Sequence, residues 1–368
     1  MWIFLRPDAK AVWRNNEVVK RLSWYKMVME DRMPAKYRIV KRIPLEENID
    51  GLDLSELWNI HSSLQKEFRR IFYKIRGGEI DLDELDIPDK SFLDLKIEIV
   101  YRMLSNCILC ERRCKVDRLR GEKGVCGLDN VSRVSTYFHH LGEEAPLIPS
   151  GTIFFSGCSF KCVFCQNWDI SQYPEAGEIV SPKKLAEISI KLRRSGAKNI
   201  NYVGGNPDQH LHTIVESLKY MDINVPLLWN SNFYLSNESM NILIDLIDIW
   251  LPDFKYGNDR CALRLSSIPR YFEVITRNFK MICGGEDIII RHLVLPNHIE
   301  CCTKPILKWV SENCPRALVN IMDQYRPEYL VARYPEKWSN IARRLYINEI
   351  NEAYYIAEKY GICFKPVS

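Results

Sequence analysis

The chain has no apolar run near the roughly 18 residues of a membrane-spanning helix. It also has no excess of one charge: 51 basic residues face 47 acidic ones, for a net +4. That balance gives no reason to expect nucleic-acid or membrane binding. Internal repeats and low-complexity segments are absent. With 46% hydrophobic and 27% charged residues, the composition excludes a disordered chain, a collagen-like repeat and a coiled coil. The opening Met1-Trp2-Ile3-Phe4-Leu5 is apolar, but Arg6, Pro7 and Asp8 end it too early for a signal peptide. A cytoplasmic protein is the expectation. Its 368 residues suffice for two domains or one large one. What the sequence does have is cysteine, 13 in all, unevenly placed. Clusters of this kind in a long intracellular chain point to metal rather than to a disulfide scaffold.

Residues 1 to about 50 show a mixed pattern and no chemistry. Residues 53–75 read as an amphipathic helix, with Asp53 as cap, Glu56 three residues on, and Gly77-Gly78 as the stop. A second amphipathic stretch runs from Phe92 to Leu104 after Ser91. This helical extension is either a platform for a partner or a packing layer over the main domain. From residue 152, short apolar runs alternate with helical periods. The strand-like runs are Thr152–Ser156, Asn199–Val203, Val225–Asn230, Ile249–Phe254, Ile288–Leu295 and Ala317–Met322. Helices are expected at Pro182–Arg194 and near 209–220, 237–247, 267–281, 302–312 and 347–360. Six strand–helix units in series imply an α/β fold, a partial (β/α)6 barrel of the TIM type, with its chemistry at the C-terminal ends of the strands. The expected division is a helical extension over 1–95, a four-cysteine metal-binding segment over 96–144, and the barrel over 145–368.

The sharpest motif is Cys158-Ser-Phe-Lys-Cys162-Val-Phe-Cys165, directly after the first of these strands. Gly157 lets the chain turn into this loop. Three thiolates at this spacing can hold three irons of a [4Fe–4S] cluster and leave the fourth open. The residues alone also admit a dithiol redox pair, a zinc site with a distant fourth ligand, or buried core thiols.

The surrounding text resembles the radical S-adenosylmethionine (SAM) superfamily, and within it the PflX-like branch related to pyruvate-formate-lyase-activating enzymes. The matching segments run over residues 105–361. They include Cys-Ile-Leu-Cys-Glu-Arg-Arg-Cys (107–114), Gly-Glu-Glu-Ala-Pro (142–146), the loop with Cys158, Cys162 and Cys165, and Val-Gly-Gly-Asn-Pro (203–207). Trp-Asn-Ser-Asn (229–232), Leu-Pro-Asp-Phe-Lys-Tyr-Gly (251–257), Arg-His-Leu-Val-Leu-Pro-Asn (291–297) and Met-Asp-Gln-Tyr-Arg-Pro (322–327) continue the series. The resemblance implies an oxidoreductase-type enzyme. SAM would chelate the open iron and be cleaved by one electron to a 5′-deoxyadenosyl radical, which abstracts hydrogen from a substrate. It implies a reducing partner such as flavodoxin or ferredoxin, and a glycyl-radical enzyme as one protein substrate. Radical modification of a peptide, an RNA or a metabolite is the alternative, and a non-catalytic Fe–S or zinc protein is the reading from another class.

By the same resemblance, Gly204, Gly205 and Asn206 contact SAM, although Asn206 stands where the family usually has an acid. Asn230, Ser231 and Asn232 are candidates for its ribose or carboxylate, and Arg291 is a further contact. Arg291 and His292 should face opposite sides of a strand, so one of them points inward. Asp253 and Lys255 either face the same mouth or form a plain ion pair. Asp323 and Gln324 are candidates for substrate contact or for loop capping. Upstream, Cys107, Cys110, Cys114 and Cys126 make a four-thiolate site for zinc or an auxiliary Fe–S cluster. Glu143-Glu144, His139-His140, His210 and His212 receive no role. Cys301 and Cys302 are adjacent and are not expected to chelate, while Cys261, Cys283, Cys314 and Cys363 read as buried small apolar residues.

Overall fold

The computed structural model describes residues 2–368; Met1, at the head of the short apolar run, lies outside the described residues. Eight strands occur in chain order: β1 (Arg133–His140), β2 (Ser150–Phe155), β3 (Glu178–Ile179), β4 (Asn199–Gly204), β5 (Leu227–Ser231), β6 (Ile249–Pro252), β7 (Ile289–Leu293) and β8 (Leu318–Met322). The six expected strands are β2, β4, β5, β6, β7 and β8, trimmed at their ends. Neighbours β2–β4, β4–β5, β5–β6 and β7–β8 pair in parallel. Parallel bridges Trp250↔Ile288 and Asp253↔Arg291 carry the row from β6 to β7. The result is a mixed α/β fold with a curved, mostly parallel row of strands. Among the described residues no ladder closes it into a full barrel.

Strand β1 was not expected. It pairs antiparallel with β2 on the open edge and carries β3 beyond it. It leaves Tyr137 and Phe138 exposed, so it lacks the buried alternation that marks a strand in sequence. The expected helix over 267–281 starts later, as Tyr271–Ile282, and an unexpected helix, Asp259–Ser266, precedes it. Between them Ser267 and Arg270 adopt left-handed backbone and Pro269 cannot extend a helix. The segment near 302–312 is Lys304–Asn313, preceded by a π-turn over Ile299–Thr303.

The helix Leu54–Arg76 begins with the expected box: Glu56 N donates to Asp53 Oδ1 at 2.9 Å, and Asp53 N donates to a Glu56 carboxylate oxygen at 2.7 Å. Its face of Leu57, His61, Phe68, Ile71, Phe72 and Ile75 is buried. A fully buried Lys96, on the helix Phe92–Leu104, reaches His61 Nε2 at 2.9 Å and Asp245 Oδ2 at 2.9 Å, pinning both helices to the barrel. Residues 1–50 prove structural rather than featureless. Val12, Val18, Leu22, Tyr25 and Met29 join Leu228, Ile249, Leu251, Ile289 and Leu318 in one buried cluster inside the barrel. Trp24 Nε1 donates to Asp248 at 2.8 Å and Tyr25 N to Asp287 at 2.8 Å, just ahead of β6 and β7. The N-terminal segment therefore fills the floor of the barrel.

Cys283 and Cys314 are not free core thiols: they form a disulfide with a Cα–Cα distance of 5.0 Å. Each caps the C-terminus of a helix, Tyr271–Ile282 and Lys304–Asn313, and these ends meet just before β7 and β8. The bridge closes a loop across a sequence separation of 31. Cys283→Ser is therefore expected to lower stability by about 2–4 kcal/mol, read as an earlier thermal midpoint that reduction of the wild type reproduces.

Candidate active site

In the loop that leaves β2, Gly157 takes a left-handed turn with φ +81°. At the end of β4, Gly204 has φ +113°, and a Cβ on it would come within 2.2 Å of the Phe155 backbone. A Cβ on Gly205 would come within 2.3 Å of Gly157 O. The two glycines are thus required by contact with the cysteine loop, beyond any need of an ordinary turn.

Cys158, Cys162 and Cys165 all line one cavity of about 210 Å3. The same cavity is bordered by Gly204, Gly205, Asn206, Asn230, Ser231, Asn232, Asp253, Lys255 and Arg291. The fold thus brings together the whole set that the sequence reading singled out at this mouth. Burial pushes the Cys162 thiol up to about 12, and pushes Cys158 and Cys165 up as well. Donors are already aimed at the sulfurs. Ser266 Oγ lies 2.9 Å from Cys162 Sγ, Ser171 Oγ 3.2 Å from Cys165 Sγ, and Asn232 Nδ2 3.5 Å from Cys158 Sγ.

The asparagines divide by their partners. Asn206 accepts from Asn232 N at 3.0 Å and donates to Gln209 Oε1 at 3.0 Å, so its side chain braces β4 against β5. Ser231 Oγ accepts from Phe233 N at 3.0 Å and Asn232 Oδ1 from Tyr234 N at 3.1 Å, both turn contacts. Asn230 alone keeps a buried amide nitrogen with no partner. Asp253 and Lys255 pair with each other at the rim.

Arg291 points inward and His292 outward, where its ring joins Phe254 O and Thr303 Oγ1 at 2.9 Å each. Arg291 donates to both Glu144 oxygens at 2.7 Å, to Glu143, and to Asn230 Oδ1 at 3.4 Å. Asn320 Nδ2 adds 2.7 Å to Glu144, and Asn201 Nδ2 adds 2.9 Å to Glu143. Burial would raise the Glu143 carboxyl, but Arg291 and His140 outweigh it and hold it down at about 2. Glu143 and Glu144, which received no role from sequence, thus hold Arg291 in the cavity wall from behind. Their signal was the Gly-Glu-Glu-Ala-Pro segment, which placed acids just before the first barrel strand. Gln324 borders a separate cavity of about 540 Å3 beside Glu143, Glu144 and Asn320. His210 and His212 are buried and bond the carbonyls of Ser156 and Asn130 at 2.7 and 2.9 Å, so their role is structural.

The upstream thiols also converge. Cys107, Cys110, Cys114 and Cys126 surround a small cavity that Arg118, Ser159 and Gln209 complete. Arg118 Nη1, Ser159 Oγ and Gln209 Nε2 are buried there without partners. These three unpartnered polar groups face the four thiols across the same small cavity. Ser159 directly follows Cys158, so the two thiol sites are next to each other in the fold.

A mixed α/β scaffold with three cysteines at the mouth of one cavity offers three ligands to a metal cofactor. The family model of the radical SAM superfamily matches residues 152–310. The uncharacterized protein MJ0674 of Methanocaldococcus jannaschii is 46% identical over 348 residues, covering 93% of this chain and 98% of that protein. A second protein of that organism, MJ0808, is 29% identical over 291 residues, covering 69% and 81%. Among solved structures, Streptococcus suis SuiB bound to its precursor peptide SuiA aligns with a TM-score of 0.40 and 17% identity, over 56% of this chain and 46% of that one. A domain of pyruvate-formate lyase-activating enzyme from Bacteroides vulgatus aligns with a TM-score of 0.35 and 15% identity, over 45% and 96%. No helix among the described residues is long and apolar enough to cross a membrane. Residues 152–310 therefore carry a radical SAM superfamily domain, a family that works with a [4Fe–4S] cluster and SAM.

Proposed function

We propose that Cys158, Cys162 and Cys165 hold the [4Fe–4S] cluster and that SAM occupies the cavity beneath it. The observation that carries this reading is the single cavity shared by the three thiols, the Gly204-Gly205 cradle and the orphaned amide of Asn230. When bound, the cluster supplies one electron that splits SAM and yields a 5′-deoxyadenosyl radical able to take hydrogen from a substrate. The chain's own part is positional. Gly204 and Gly205 let the β4 end lie against the cluster loop and offer backbone groups to SAM. Asn230 Nδ2 donates to a SAM oxygen, and Arg291 fixes Asn230 from below. Asn206 positions Asn232, whose amide supports Cys158. Ser231 and Asn232 shape the turn that closes the cavity. Buried Phe160 and Phe164 line the same cavity and exclude water.

The test is 5′-deoxyadenosine formed by anaerobically reconstituted, reduced protein given SAM. A SAM-induced change in the EPR signal of the reduced cluster reports binding separately from cleavage. Ser266→Ala is expected to move the cluster potential to more negative values. Its hydroxyl donates to Cys162, and such a bond favours the more negative reduced cluster. Redox titration reads the shift; an unchanged potential would remove Ser266 from the site.

The ordered segments over 105–361 support the PflX-like branch, with a glycine of a partner enzyme as the hydrogen donor. A glycyl-radical EPR doublet on such a partner, formed only with SAM and this protein, tests that assignment. Gln166 and Asn167 are exposed beside Cys165, which gives flavodoxin or ferredoxin a short path for the electron. The four upstream thiols are assigned a second metal group, zinc or an auxiliary Fe–S cluster, on the strength of the three orphaned donors. The metal lost between a Cys158/Cys162/Cys165 triple variant and the same variant with Cys110→Ser added distinguishes zinc, iron and neither at these thiols. Residues 1–95 are assigned the role of a structural brace.

A further inference from the structure

Away from both thiol sites, Cys261, His298 and Cys301 bring their ligand atoms within 4.8 Å of one another. Cys261 lies near the start of the helix Asp259–Ser266, after β6. His298, Cys301 and Cys302 lie in and just before the π-turn Ile299–Thr303, after β7. Cys261 Sγ is 3.9 Å from Cys301 Sγ, and Cys301 Sγ is 3.9 Å from Cys302 Sγ. The adjacent pair that sequence reasoning set aside as unable to chelate therefore shares one locus with a third thiol and an imidazole. The wide π-turn makes this possible, and such turns recur at functional sites.

We propose that Cys261, His298, Cys301 and Cys302 form a structural zinc site. The distances carry the metal type. Thiolates about 2.3 Å from a tetrahedral zinc stand about 3.8 Å apart, close to the separations found. The histidine is already set as a ligand. Its Nδ1 lies 2.6 Å from Pro296 O, and a carbonyl only accepts, so Nδ1 carries the hydrogen. Nε2 then keeps its lone pair for a metal, the usual support for a zinc-bound imidazole. Three sulfurs and one nitrogen fit zinc better than a hard cation. Cys302 Sγ, 3.9 Å from Cys301 Sγ but outside the convergent trio, would complete the set by turning its side chain toward the metal, and four protein ligands would make the site structural.

The location gives the metal a purpose. Asn258 Nδ2 donates to Cys301 O at 2.7 Å, and a Cβ on Gly257 would meet Cys301 O at 2.8 Å, so the two loops are already pressed together. The helix that begins here ends at Ser266, which contacts Cys162 Sγ and accepts through its carbonyl from Lys161 N at 3.0 Å. Zinc would clamp the far end of the helix that supports the cysteine loop.

Protein expressed with zinc in the medium and purified anaerobically is expected to lose one zinc per chain in Cys261→Ser and in His298→Gln. Counting the difference makes the result independent of any zinc held by the upstream thiols. Zinc K-edge absorption of the wild type should show nitrogen as well as sulfur in the first shell, and His298→Gln should remove the nitrogen. Iron content should stay unchanged, because these residues do not line the cluster cavity. The proposal is overturned by wild type without zinc, by an all-sulfur shell, or by an unchanged zinc count in both variants. A Cys261–Cys301 disulfide in anaerobically purified protein overturns it too. If both variants fail to fold, the wild-type zinc content and shell still decide.

Discussion

Cys158→Ala, Cys162→Ala and Cys165→Ala are each expected to reduce 5′-deoxyadenosine formation to background. A cluster with three protein ligands has no spare one, because the fourth iron is reserved for SAM. The geometry offers no substitute. The cavity lining holds no fourth thiol or histidine, and the upstream thiols have their own cavity with their own orphaned donors. The effect should also be specific to this loop. Cys363 lies at the other end of the barrel, where its backbone bridges Leu318, and Cys363→Ala should keep full cleavage. Product measured against a SAM-only blank, with iron counted in every sample, separates a lost cluster from a lost protein. Full cleavage by any one of the three loop variants would remove that cysteine from the assignment.

This site was legible because its signal is local. The three cysteines lie within one loop, and a parallel α/β row puts the end of its strands at the active face whatever else the chain does. The neighbours Gly204-Gly205 and Asn230-Ser231-Asn232 could be placed for the same reason, since each ends a strand. Their individual roles were not legible. Only partners show that Asn206 and Asn232 are engaged inside the protein while Asn230 keeps a free donor. Arg291 and His292 were known to face opposite ways, but the choice between them depends on two glutamates 147 and 148 residues distant in sequence.

Other departures have the same origin in contacts between distant segments. The strand β1 exists because the β2 edge offers it hydrogen bonds, and its exposed Tyr137 and Phe138 hide it from any pattern of burial. The Cys283–Cys314 bridge depends on two helix ends meeting, and the Cys261–His298–Cys301 group on two loops meeting. The late start of the helix Tyr271–Ile282 is different: Pro269 was visible in the sequence, yet the expected helix began at 267, ahead of it.

Arg291→Met is expected to cost about 3–5 kcal/mol in stability at pH 7, the toll of leaving buried charge unpaired. Glu143 and Glu144 are 5% and 4% exposed, so water cannot replace the guanidinium. Part of the cost can be assigned to one group. In the native protein Glu143 titrates at about 2 against an ordinary 4.5, which corresponds to about 3 kcal/mol. A lowered carboxyl stabilises the fold fully above its unfolded pKa and loses that contribution as the pH falls from about 4.5 toward 2. Without Arg291 only His140 is left to oppose burial, so the Glu143 carboxyl moves up from about 2. The variant therefore gains less stability than wild type as the pH rises toward 4.5, and its pH slope there is shallower. Lost packing alone would leave that slope unchanged. Arg291→Lys keeps the charge but lacks the fork that serves both carboxylates and Asn230, and should fall between wild type and Met. Anaerobic urea unfolding at several pH values reads both magnitude and slope. A loss below about 1 kcal/mol with the wild-type pH slope would show that the fold does not depend on this pairing.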